Sequence, residues 1–78
     1  MREKKLRFVA AFSTTTAAME MERWCIDNGI PGRLIPTPRQ ITAECGLIWS
    51  APPDAEAAVL RAAEEGSIEL AATYQLVI

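Results

Sequence analysis

The residue types best suited to chemistry stand in one short stretch, Pro36-Thr37-Pro38-Arg39-Gln40-Ile41-Thr42-Ala43-Glu44-Cys45-Gly46. Cys45 offers a thiol and Arg39 a permanent positive charge. The thiolate is the nucleophilic form of cysteine, and a nearby cation or helix N-terminus stabilises it. Pro36 and Pro38 each hold φ near about −65° and bias the residue before them toward extended geometry, so the stretch reads as a defined loop. Cys45-Gly46 then opens Leu47-Ile48-Trp49, which reads as a buried strand. The spacing matches no metal-ligand set and no catalytic triad. Against the chemical reading stands a plain one, in which Cys45 is a small residue at a tight strand start and Gly46 serves the backbone.

Composition narrows the chemistry. The 78 residues suffice for one domain, and half of them are apolar. Two cysteines cannot form a dense disulfide framework, so packing must supply the core. With no histidine, His-assisted nucleophiles and His-bound metals are excluded, and two distant cysteines cannot close a metal site. A net charge of −2 makes no field to attract nucleic acid or an anionic membrane. The basic residues Arg2, Lys4, Lys5 and Arg7 cluster at the start and read as a solvated lead-in to the first strand. No apolar run reaches membrane-spanning length and no signal-peptide pattern is present, so a cytoplasmic location with reduced thiols is expected.

The elements that must position the loop follow from hydrophobic period. Leu6, Phe8, Ala10 and Phe12 alternate onto one face of a strand, with Val9 and Ala11 on the other. Ser13-Thr14-Thr15-Thr16 supplies N-cap hydroxyls for a helix running to about Asn28, whose inward stripe is Ala17, Ala18, Met21, Trp24 and Cys25. Gly29 suits the left-handed position after that helix, Ile30 the apolar contact beyond it, and Pro31 prevents continuation. Arg33-Leu34-Ile35 is a short second strand, and Gly46 to Ser50 is the third. Pro52-Pro53-Asp54 starts a second helix with the stripe Ala55, Ala58, Val59, Ala62 and Ala63, stopped by Gly66. Ile68, Leu70, Ala72, Tyr74 and Leu76 alternate through a last strand.

The order β-α-β-β-α-β predicts an α+β fold, a ferredoxin-like two-layer sandwich with both helices on one face of an antiparallel sheet. Right-handed crossovers put the first strand between the third and fourth. The bare face is then expected to carry Val9, Ala11, Ile48, Ala71, Thr73 and Val77. So apolar a face predicts a homo-oligomer or a docked partner. The same topology separates the thiols. Cys25 falls at the far end of the sheet, in the core beside Trp24. Cys45 falls near the start of the first helix, where Ser13, Thr14, Thr15 and Arg39 would stabilise an anion.

Phe12-Ser13-Thr14-Thr15, Ala17-Ala18 with Glu20, a helix ending Asn28-Gly29-Ile30, and then Pro36-Thr37-Pro38-Arg39-Gln40-Ile41-Thr42 with Cys45-Gly46 resemble the small bacterial Se/S carrier protein-like domains. The resemblance spans nearly the whole chain as a single domain, 1–78, and its specific part is the Pro-x-Pro-Arg…Cys-Gly segment. It implies that Cys45 holds sulfur or selenium as a persulfide or selenosulfide, without a resident cofactor, and that donor and acceptor proteins are the partners. The departure here is alanine richness in the second helix and last strand. Better-known carriers place Cys-Pro at a helix start, so their mechanism does not transfer. The rival expectation is a non-catalytic binding or regulatory module that docks a partner, or itself, through the apolar sheet face. Sulfur versus selenium, and whether the role is enzymatic, stay open at this level.

Overall fold

The computed structural model describes residues 5–39, 41 and 46–77. The alternating apolar run forms β1 (Leu6–Phe12), with Phe8, Ala10 and Phe12 buried beneath the helices. Thr14 is extended (φ −139°, ψ 156°), and its Oγ1 accepts the Ala17 N–H at 3.1 Å, which caps α1 (Thr15–Asp27) as the hydroxyl run predicts. β2 (Arg33–Pro36) and β3 (Leu47–Ala51) form a hairpin. A short 3-10 turn, Pro53–Ala55, leads into α2 (Glu56–Glu65), and β4 (Leu70–Val77) completes the sheet.

The strand order is β2-β3-β1-β4, antiparallel throughout, so the ferredoxin-like βαββαβ sandwich expected from the element order is the observed fold. The main core lies between sheet and helices. Phe8, Phe12 and Trp49 meet Ala18, Met21 and Cys25 of α1 and Val59, Ala62 and Ala63 of α2, with Trp24 half-buried against them. Ala58 departs from the expected inward stripe. It is exposed, and it lines an open groove of about 300 Å³ beside Trp24 and Arg61.

Both helices end in the same way. After α1 the Ile30 N–H donates to the Cys25 carbonyl (2.8 Å) and the Gly29 N–H to that of Ile26 (3.3 Å), with Gly29 at φ +67°. After α2 the Ile68 N–H donates to the Ala63 carbonyl (2.8 Å) and the Ser67 N–H to that of Glu64 (3.2 Å). This is the Schellman pattern, which asks for a left-handed residue just past the cap. Gly66 ends α2 as expected, but it sits one place too early to take that conformation. Ser67 takes it instead, at φ +54°. Gly32 (φ +133°) has a packing reason as well. A Cβ there would lie 2.6 Å from Trp49 Nε1 and 2.7 Å from the Ser50 carbonyl oxygen.

The last strand corrects the sequence reading of the bare face. Ala11 pairs with Ala72 but Phe12 with Leu70, so Ala71 is an extra residue, a β-bulge. One extra residue reverses which side chains face which way. Leu70 packs under the helices. Ala72, Tyr74 and Leu76 then share the register rows of Ala11, Val9 and Arg7 on the other face. Ala71, Thr73 and Val77 therefore do not build that face, and the alternation from Ile68 to Leu76 is not one continuous phase.

Candidate functional site

The site expected from sequence is the loop joining β2 to β3, and its two feet are fixed. Pro36 pairs with Leu47, and the Thr37 N–H donates to the Gly46 carbonyl at 3.0 Å. Within the loop the Ile41 N–H donates to the Pro38 carbonyl at 3.1 Å, closing a turn that contains Arg39. Proline has no N–H to give and favours turn positions, so the chain leaves the hairpin ladder after Thr37, at Pro38.

The register fixes where these feet lie. Ile48 pairs with Ala11 on one side and Ile35 on the other. The start of β3 therefore stands beside the end of β1, at the edge of the sheet from which Ser13 and Thr14 lead into α1. This is the sheet end expected for the thiol's neighbourhood. Of the residues expected to stabilise an anion, Ser13 is half-buried, Thr14 and Thr15 are exposed, and Arg39 is exposed in its turn. The Thr14 hydroxyl oxygen is engaged in capping. Cys45 lies outside the described residues, as do Gln40, Thr42, Ala43 and Glu44, so the expected nearness of Cys45 to Arg39 and to the helix start lies there too.

The loop has a structural role that the sequence reading missed. Ile41 is 6% exposed and packs with Val9, Ala11 and Ile48 in a second, smaller core on the face away from the helices, flanked by Ile35 and Leu76. Val9 and Ile48 are fully buried. The face expected to be bare and to recruit a second copy is thus covered by the chain itself around those two residues. The available signal was a lone branched apolar residue in an otherwise polar loop. Arg7 is also more than a solvated lead-in. It lies within β1, its Nε donates to Ser50 Oγ (3.1 Å) and its Nη2 to the Ser50 carbonyl (3.4 Å), and Ser50 is 4% exposed. The guanidinium satisfies a buried hydroxyl on the same face as Val9.

Cys25 behaves as its place on the helical stripe predicts. It is fully buried, and burial pushes its thiol up to about 11. Desolvation disfavours the charged form, so this sulfur is a weak nucleophile at neutral pH. Among the described residues no three metal-ligating side chains gather, and no described helix is long and apolar enough to cross a membrane.

Fold and loop together define a small α+β sandwich whose one distinctive feature is the hairpin loop held at Thr37 and Gly46. The family described as "Putative Se/S carrier protein-like" matches residues 7–75. That is most of the chain, and the chain belongs to this family. No curated protein and no solved structure matches it.

Proposed function

We propose that the chain carries sulfur or selenium on the Cys45 thiol. The observation that carries this reading is the family match across 7–75, which includes the Pro-x-Pro-Arg…Cys-Gly segment. The burial and raised pKa of Cys25 support it by elimination, since they leave Cys45 as the sulfur suited to the role. In the loading step the Cys45 thiolate attacks the outer sulfur of a donor protein's persulfide. A new S–S bond forms on Cys45, the donor's S–S bond breaks, and the donor cysteine leaves as a thiolate. No net oxidation occurs. An acceptor reverses the sequence. Arg39 and the Ser13–Thr15 turn would favour the thiolate and the persulfide anion electrostatically. Donor and acceptor proteins are the implied partners, and a reducing compartment such as the cytoplasm suits a thiol of this kind.

The rival reading, docking through the apolar face around Val9 and Ile48, loses its surface because both side chains are buried. The test of carriage is intact mass after incubation with a cysteine desulfurase and cysteine. A gain of one sulfur atom, mapped to Cys45, is expected. Cys45→Ser should abolish it and Cys25→Ser should leave it. Loading at Cys25, or none at either thiol, overturns the proposal.

A further inference from the structure

β4 is an edge strand, and among the described residues nothing pairs with its outer side. Its eight residues, Leu-Ala-Ala-Thr-Tyr-Gln-Leu-Val, include no charge, no proline and no glycine. An edge strand presents a row of unpaired N–H and C=O groups, and proteins that must stay single blunt such edges with charge, proline or shortness. The opposite edge of this sheet is blunted in all three ways. β2 has four residues, begins at Arg33 and ends at Pro36. β4 carries only the bulge at its start. Exposed apolar side chains also gather along it, with Leu6 46%, Tyr74 36% and Val77 55% exposed.

The charges at its two ends select the occupant. Glu69 immediately precedes β4, and at the other end Lys5 adjoins Leu6, the register partner of Val77. Antiparallel pairing of two β4 strands about a two-fold axis brings each Glu69 toward the Val77 and Lys5 end of the other copy, opposite charge to opposite charge. Parallel pairing would set like ends together. A two-fold interface must be self-complementary, and a neutral strand preceded by an acid, with a base at the start of the neighbouring strand beside its other end, satisfies that. We propose that β4 pairs antiparallel with β4 of a second copy, making one continuous eight-stranded sheet with Thr73, midway between Glu69 and Val77, nearest the axis. The loop between β2 and β3 lies on the far side of each sheet from this seam, so both copies keep it free.

Sedimentation velocity over a range of concentrations tests this. The unmodified protein is expected to dimerise. Thr73→Lys and Thr73→Glu each place like charges at the axis and should each sediment as a folded monomer, since Thr73 is exposed. An equal mixture of the two should regain the dimer. A monomeric unmodified protein at every concentration, an undiminished Thr73→Lys dimer, or folded variants that fail to rescue each other would overturn the proposal. Should a charged variant not fold, Thr73→Cys in a Cys45→Ser background decides the matter. Rapid disulfide-linked dimer with oxidised glutathione is expected there, while Met19→Cys on the exposed face of α1 should give none. Equal cross-linking at both positions would overturn it.

Discussion

The two faces of the sheet are built by different means. On one, two helices bury Phe8, Phe12 and Trp49 among some ten further side chains. On the other, Ile41 from a loop joins Val9, Ala11 and Ile48 in a cluster of four. The helical side is supported by two elements that are themselves capped and packed on each other. The loop side depends on one residue between Arg39 and the candidate thiol. The first face holds the fold, and the covering of the second comes from the segment that carries the proposed sulfur site.

Truncation separates these roles most sharply. Phe12→Ala removes a fully buried ring from the helical core and is expected to cost about 3–5 kcal/mol in denaturant unfolding. Ile41→Ala should cost about 2 kcal/mol, the low end for such changes, because a loop can settle into the space more readily than a strand held on both sides. Equal costs would end the distinction, and the loop cover would then count as core.

The share of the pH dependence of stability that Cys25 contributes reads the helical side. The Cys25 thiol keeps its proton in the folded chain up to about 11, against an ordinary value of 9.0. Below the ordinary value both states are protonated and Cys25 adds no slope. Between the two values the unfolded chain releases the proton and the folded one keeps it, so stability falls as pH rises, and above about 11 the fall stops. Cys25→Ala should flatten unfolding free energy across that window relative to the unmodified protein. An unchanged slope would mean that other groups produce it.

The smallest effect expected is a gain. Ser67 occupies the left-handed position that Gly29 fills after α1. Ser67→Gly should stabilise by about 0.5–1 kcal/mol, and Gly29→Ala should destabilise by a similar amount. A loss at Ser67→Gly would mean that the strain is offset by contacts of the serine itself.

Much of this was legible in sequence, and for identifiable reasons. The helical face was readable because Phe8, Ala10 and Phe12 alternate, and because Ala18, Met21 and Cys25 recur at helical spacing. Both depend on neighbours in the chain. The cap at Thr14 and the left-handed Gly29 are local for the same reason. The cover of the second face was not readable, because Ile41 meets Val9 and Ile48 only after the hairpin has formed. Ala71 escaped notice too. In a run of small and β-forming residues nothing marks which one is looped out, and the register with β1 decides it. The candidate site is a set of residue types in one segment, and the described structure adds to its surroundings only that the start of β3 stands beside the end of β1.

The bulge at Ala71 also governs how this chain should be compared with its relatives. It works as a phase marker: before it, odd and even positions mean one thing, and after it the opposite. Removing that one residue would join Leu70 to Ala72 in unbroken alternation, with Tyr74 and Leu76 still on the face of Val9 and Arg7 and Thr73 and Gln75 still on the side of Ala10 and Phe8. A relative without the extra residue should therefore show its apolar pattern displaced by one place from here to the end of the strand. An alignment that ignores the gap would match inward residues to outward ones, and would mistake a change of side for a change of character.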